Sequence, residues 1–382
     1  LKIVRIVPLL DFGGVEQRIK HTVLGFDTYS YDLLEIVVLG GEGKISQELH
    51  LMGTHPIHFH QNFKIPNLRL IYMLFQFLKN IQPDVVHTSA SEANFHGLIA
   101  AKMAGVPVRI GEEIGFPNHD FKWRFVFKWV YKSATKVIAI SQSVKDRIVE
   151  LGEVEEEKVE VVYNPVDLGI REKEKGESGT LFCTQSGANI AISDVYNKHG
   201  EGEKPFVFVT TCRLVAVKNL DTLIKVFFEL VKENQEKYLK LWILGDGPDK
   251  VNLEALVKKI GIQESVVFYG FQEDVNPFLK NSDAFVLPSF SEGFSISLVE
   301  AMLCELPCIV TNQGGPSEIV EDGKTGFLIN PRQASDLKCK MLKVLKLSNE
   351  QRQLIGRMAQ EAGKKYSVWN YVKKLLEVYS TP

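Results

Sequence analysis

The stretch from Ser282 to Leu328, SDAFVLPSFSEGFSISLVEAMLCELPCIVTNQGGPSEIVEDGKTGFL, decides how the chain is read. Ala284 to Pro288 is an unbroken apolar run, the pattern of a parallel strand buried on both faces. Ser289 to Phe294 is rich in Ser and Gly, and Ser295 to Met302 then takes up helical periodicity, so the spacing predicts strand, loop and helix in succession. The N–H groups of the first helical turn have no partner within the helix and face the strand's carboxyl end. In an open α/β sheet that is where anionic ligands bind, because the amides and the helix dipole both favour negative charge.

Two carboxylates flank this turn, Glu292 in the loop and Glu300 in the helix. Acids beside an anion site would repel a phosphate unless they hold something else, and sugar hydroxyls suit them because one carboxylate accepts two. The segment Glu292-Gly-Phe-Ser-Ile-Ser-Leu-Val-Glu300 resembles the acidic pair of the retaining glycosyltransferases of family 4, enzymes of the GT-B fold. The resemblance implies an α/β protein with two Rossmann-like, doubly wound domains facing a central cleft and a C-terminal helix crossing back to the first domain. It places Glu292 near the donor sugar, Glu300 on the ribose, and Gly293, Phe294, Ser295, Ile296 and Ser297 around the donor.

A chain of 382 residues with 45% hydrophobic content is long enough for two cores. The expected division is 1–167 for an N-terminal acceptor-side domain and 168–204 for a linker enlarged by an insertion. A nucleotide-sugar-binding domain follows over 205–365, and 366–382 forms the terminal helix. A net charge of -2 gives no footprint for nucleic acid. Leu1 to Leu10 is strand-like with Lys2 and Arg5 inside it, neither signal peptide nor membrane span, so a cytoplasmic location is expected, peripheral at the inner membrane face if the chain meets lipid. The five cysteines, at 183, 212, 304, 308 and 339, form no CxxC pair and read as reduced thiols.

Lys2 to Pro8 predicts the first strand, and a helical pattern begins at Gln17. Between them, Gly13 and Gly14 permit close approach of a ligand to backbone, or form a plain tight turn; the resemblance places them beside the donor diphosphate. His55, His58 and His60 cluster without a recognised metal spacing and read as surface or satisfied histidines. Pro83-Asp-Val-Val-His87 is similar to a strand that recurs in the family. It places His87 at a strand end, either touching substrate or structural. Val106 to Ile110 predicts another strand, followed by Gly111-Glu112-Glu113-Ile114. The family carries a histidine near the reacting sugar in this loop, and the nearest match is Glu113, with Glu112 one residue away. A carboxylate there could orient the acceptor hydroxyl or stabilise a developing oxocarbenium ion, but it cannot copy a neutral imidazole donor.

Phe121 to Lys132, FKWRFVFKWVYK, is the most aromatic stretch. At helical spacing Trp123, Val126, Phe127 and Val130 share one side and Arg124, Lys128 and Lys132 another, with Phe125 and Trp129 near the cations. Two readings fit: a core-packing helix with a solvated face, or a surface helix resting on anionic lipid.

The second half opens with an apolar strand, Pro205 to Cys212, followed directly by Arg213-Leu-Val-Ala-Val-Lys218. Two cations crowded at a strand's carboxyl end favour a shared anion. The family's RLxxxK pattern matches at Arg213 and Lys218, where the resemblance implies neutralisation of the leaving diphosphate. Gly245-Asp-Gly-Pro248 lacks the third glycine of a dinucleotide fingerprint, which ranks hydride transfer low. Gly270-Phe271-Gln272 is similar to the loop that lies against the nucleotide base. No DxD or HExxH occurs, so no metal or other cofactor is expected. The function implied is transfer of a sugar from a UDP- or GDP-type donor to a saccharide or lipid-linked acceptor. A nucleotide-sugar epimerase of the same fold and a non-catalytic bilobal sugar-binding module are the rivals.

Overall fold

A computed structural model describes residues 1–11, 14–26, 33–167 and 204–380, with backbone alone at 14 and 15. Gly13 and most of the expected linker, 168–203, lie outside the described residues. The chain forms two compact units: Leu1–Val166 with Glu292–Ile296 and Tyr366–Pro382, and Asp167–Ser291 with Ser297–Lys365.

In the first unit strands and helices alternate: β1 (Lys2–Val7), α1 (Gly14–Phe26), β2 (Leu33–Val38), α2 (Lys44–Leu51), β3 (Ile57–His58), α3 (Leu68–Ile81), β4 (Val85–Ser89), α4 (Ser91–Met103), β5 (Val108–Glu113), α5 (Phe121–Tyr131), β6 (Lys136–Ala139), α6 (Gln142–Glu150) and β7 (Val159–Val161). The strands pair in parallel in the order β3-β2-β1-β4-β5-β6-β7. Asn67, Asp120 and Ser141 cap helices by accepting hydrogen bonds from Leu70, Trp123 and Val144 N–H groups.

The second unit comprises β8 (Phe206–Thr211), α7 (Leu220–Glu233), β9 (Leu239–Leu244), α8 (Lys250–Ile260), β10 (Val266–Gly270), α9 (Asn276–Lys280), β11 (Ala284–Leu287), α10 (Ile296–Leu303), β12 (Cys308–Thr311), α11 (Pro316–Ile319), β13 (Phe327–Ile329), α12 (Ala334–Lys346) and α13 (Asn349–Gly363). Its strands are also parallel, in the order β10-β9-β8-β11-β12-β13. Leu223, Phe227 and Met341 from α7 and α12 close over Phe208, Leu241, Val286 and Ile309 of the sheet, all excluded from solvent. Each sheet reverses its winding once, between β1 and β4 and between β8 and β11, and ligands of open parallel sheets bind at the carboxyl ends beside such a reversal.

The final helix, α14 (Val368–Ser380), belongs to the first unit, as expected for a terminal helix crossing back. Tyr371, Val372, Leu375 and Val378 pack with Ile3, Val85, Ile110 and Ile138 in one buried cluster. A Cβ on Gly25 would meet Val372 at 2.4 Å, so the glycine in α1 is what permits this approach. Where the chain returns, the Val166 N–H donates to the Tyr366 carbonyl at 2.8 Å.

Two local readings are corrected. β4 continues to Ser89, which puts His87 in mid-strand rather than at its end. β5 extends through Glu112 and Glu113, because both residues keep the strand's pairing with β6. Among the described residues no helix is long and apolar enough to cross a membrane.

Candidate active site

In the second unit the loops leaving β8 and β11 are fixed to each other. The Phe290 N–H donates to the Val217 carbonyl at 2.8 Å, which sets the chain leading to Glu292 beside the Arg213–Lys218 loop. Asn219, in the left-handed region at φ 57°, donates from Nδ2 to the carbonyls of Pro288 at 3.2 Å and Pro331 at 3.0 Å. The loop after β9 presses from the other side: the Leu214 N–H donates to the Asp246 carbonyl at 2.9 Å, and a Cβ on Gly245 would meet the Cys212 carbonyl oxygen at 1.9 Å. Gly245, at φ 129°, is therefore required by a backbone approach and not by a dinucleotide. This frame holds Arg213 exposed and Lys218 half-buried at the sheet's carboxyl end. Asn219 is a site-building residue that sequence reading passed over; an Asn directly before a helix was its one signal.

Glu292 lies in the loop ahead of α10 and Glu300 lies within the helix, both half-buried. Burial, and then the nearby Asp274 carboxylate, pushes the Glu300 carboxyl up to about 7. By its contacts the segment Glu292–Ile296 groups with the first unit, whereas Ser297 and Glu300 belong to the second. Within that segment Phe294 and Ser295 are buried, and the Phe294 ring packs 6.0 Å from Tyr163 and 5.3 Å from Tyr366. Gly293 and Ile296 beside them, like Ser297, are half-buried. Phe271 follows Gly270, which turns at φ 67°, and is 55% exposed.

In the first unit a cavity of about 270 Å³ opens at the ends of β4 and β5, lined among others by Ala90, Glu92, Glu113, Phe116 and His119. The Glu113 carboxylate accepts a hydrogen bond from the Tyr131 hydroxyl, and burial pushes its protonation up to about 7. His119 was not singled out from sequence. Its Nδ1 lies 2.7 Å from the Glu153 carboxylate, which raises the imidazole above its ordinary range, and its ring stacks on Phe127 at 4.7 Å. A carboxyl that titrates near neutrality in a cavity it shares with an imidazole can accept or return a proton and can orient a hydroxyl. Gly14 opens α1 at the carboxyl end of β1.

His87 and Glu112 do not line this cavity, and their reading as acceptor-side residues is corrected. Both are fully buried. Glu112 forms an ion pair with Arg18 at 2.5 Å and accepts hydrogen bonds from Ser89 at 2.5 Å and from Arg5 at 3.4 Å. Burial alone would raise this carboxyl, but Arg18, His87 and Arg5 outweigh it and hold the group well below the usual carboxylate range. His87 Nδ1 lies 2.6 Å from the Tyr379 hydroxyl of α14, and burial first, then Arg5, drives its pKa down to about 4. A substrate hydroxyl reaching Glu112 would have to displace two guanidinium groups, so this cluster serves to fasten α14 to the sheet.

On α5, Phe121, Phe125 and Trp129 recur every fourth residue and are 83%, 72% and 55% exposed, with Lys122, Lys128 and Lys132 exposed among them. Phe127, Val130 and Tyr131 turn inward. Trp123, expected on the packed side, is 40% exposed while its ring still lies 6.1 Å from Phe127.

Residues 12–169 match the family described as Glycosyltransferase Family 4, and residues 193–361 match Glycosyl transferases group 1. The chain is 28% identical over 274 residues to UDP-Gal:alpha-D-GlcNAc-diphosphoundecaprenol alpha-1,3-galactosyltransferase of Escherichia coli, covering 69% of this chain and 67% of that protein. It is 25% identical over 351 residues to the sulfoquinovosyl transferase SQD2 of Arabidopsis thaliana, covering 87% of this chain and 64% of that protein, so these alignments span about two thirds of the relatives' length. Among solved structures, HepE of Anabaena in complex with UDP superposes with a TM-score of 0.81 over 100% of both chains at 20% identity.

Proposed function

The chain belongs to the group 1, family 4 glycosyltransferases of GT-B fold, and from that premise we propose that it transfers a sugar from a nucleotide-sugar donor to a hydroxyl of a saccharide or lipid-linked acceptor, with retention at the anomeric carbon. One observation carries the proposal: the Arg213–Lys218 loop is hydrogen-bonded, through Val217 and Asn219, to the chain that runs into Glu292 and Glu300. Cations and helix-start amides then receive a diphosphate while the acids receive hydroxyls.

In this reading Arg213 and Lys218 neutralise the leaving diphosphate, Glu300 accepts from the ribose, Glu292 holds the donor sugar and Phe271 lies against the base. The bond from the anomeric carbon to the diphosphate breaks, the acceptor oxygen bonds on the same face, and its proton passes to the leaving phosphate oxygen. Glu113 orients the acceptor hydroxyl, with His119 beside it. Two cations in place of a DxD motif make a bound metal unnecessary for this step. UDP is the donor nucleotide we favour, because the E. coli relative is named for a UDP sugar and the Anabaena structure holds UDP.

The E. coli relative is also named for a diphosphoundecaprenol acceptor, and the aromatic stripe of α5 with its lysines suits an anionic bilayer. We therefore place the enzyme at the inner membrane face in assembly of a surface polysaccharide or glycolipid. Thermal-shift screening with UDP, GDP and ADP sugars tests the donor, since a ligand at a hundredfold its dissociation constant adds about 2.7 kcal/mol. NMR of the product tests the stereochemistry. A product of inverted configuration rejects retention, and absence of transfer from every donor rejects the transferase reading.

A further inference from the structure

Outside the candidate active site, the first unit gathers imidazoles and a carboxylate on one edge of its sheet. Glu42 lies in the loop between β2 and α2, His50 in the last turn of α2 and His58 in β3, and one ligand atom from each lies within 4.8 Å of the others. Tetrahedral zinc, with metal–ligand bonds of about 2.0–2.1 Å, sets its donors roughly 3.4 Å apart. The remaining distance is within the reach of side-chain rotation, because Glu42 and His50 are exposed.

Three further observations point to a ligand. Both ring nitrogens of His58 are shielded from solvent, and the Gly41 backbone can serve only one of them, so at least one nitrogen has no hydrogen-bond partner among the described residues, with the Glu42 carboxylate close by. A ring nitrogen shielded from water normally finds a partner. His50 Nδ1 lies 2.8 Å from His55 Nδ1, the kind of outer hydrogen bond that fixes the orientation and tautomer of a ligating histidine and leaves its Nε2 available. His60 sits in the left-handed region at φ 50°, which brings its ring to 5.7 Å from that of His58. The supporting backbone is also held. A Cβ on Gly43 would meet the Leu10 carbonyl oxygen at 2.3 Å, and the Ser46 N–H donates to that same carbonyl at 3.3 Å.

We propose that Glu42, His50 and His58 form a binding site for one divalent transition-metal ion of the zinc class, with His55 orienting His50. Two imidazoles and a carboxylate suit zinc in preference to magnesium or calcium, which favour all-oxygen sets. The three ligands come from three successive elements, so the ion ties the β2–α2 loop to β3. That loop rests on Leu10 and Asp11, immediately ahead of the glycine pair after β1. The site is a structural clamp, separate from the transfer chemistry.

The experiment uses the full chain without an affinity tag, stripped with chelator and titrated with Zn2+ by calorimetry, with melting temperature followed in parallel. The expected result is one saturable Zn2+ per chain and a rise in Tm on binding. His50→Ala and His58→Gln should each weaken binding by at least about tenfold, the scale that even outer partners of a ligating histidine command. His50 is exposed, so its variant reports on binding with the apo fold intact, checked by circular dichroism and the metal-free Tm. Absence of 1:1 binding to the wild type, or unchanged binding by His50→Ala, overturns the proposal. The readout is binding and not transfer, so its failure is distinct from any failure of the proposed enzymatic reaction.

Discussion

Replacing Glu113 with Gln separates a chemical role from a packing role. In the folded chain this carboxyl is 4% exposed, and burial moves its protonation from 4.5 to about 7. Such a displacement corresponds to ~3 kcal/mol between the charged and neutral forms, an upper figure if the cavity relaxes around the charge. Because the folded group holds its proton more tightly than the unfolded one, its contribution to stability is fully present below pH 4.5 and is lost as pH rises through 7. Glutamine keeps the shape and can still accept from the Tyr131 hydroxyl, yet does not ionise. Denaturant unfolding from pH 4.5 to 8.5 should therefore show Glu113→Gln gaining on wild type by up to ~3 kcal/mol across that window. Taking the difference cancels the parallel titration of Glu300. In activity assays the same variant should lose on the order of a hundredfold in turnover, the usual scale when a reacting hydroxyl is no longer correctly oriented, with nucleotide affinity nearly intact. At saturating donor, where the Glu300 titration no longer acts through affinity, the pH profile of turnover should also lose its inflection near 7. Wild-type turnover with an unaltered pH profile would remove Glu113 from the mechanism, and parallel stability curves would refute the buried titration.

Other outcomes follow from the second unit and from α5. Arg213→Ala should weaken donor nucleotide binding by roughly 2 kcal/mol, read by calorimetry, and Lys218→Ala by a similar amount, since each removes a charge-assisted contact to phosphate. In the role proposed for Glu300 the ionised carboxylate accepts the two ribose hydroxyls better than the protonated acid does, so nucleotide affinity should fall as pH drops through about 7 and become nearly flat in Glu300→Gln, as measured by titration at several pH values. Wild-type protein should float with vesicles containing anionic lipid and not with neutral ones. Phe125→Ser combined with Trp129→Ser should abolish flotation, since both rings are exposed on the stripe that would meet the lipid. Equal flotation on both vesicle types would refute the electrostatic part of that reading.

The sequence by itself determined the sheet class, the order of its elements and the loops that carry charge. Buried parallel strands are written as continuous apolar runs, Ala284–Leu287 being one, and a cation pair or acid pair at a strand's carboxyl end is visible wherever it falls. The terminal helix over 366–382 was legible only through the family resemblance, and the structure shows it burying Tyr371, Leu375 and Val378. Only the tertiary structure decided which polar residues face solvent. Glu112 and Glu113 are neighbours on β5 with opposite fates: alternation along a strand sends one toward Arg5 and Arg18 and the other into a cavity, and a one-residue change of register would exchange them. His119 escaped notice because its partner Glu153 is remote in the chain, and no local spacing encodes an ion pair closed by folding. The same holds for Glu42, His50 and His58, which three elements deliver to one place although their intervals resemble no metal motif. Local pattern follows from covalent periodicity, whereas burial, partner and charge state depend on contacts made across the chain.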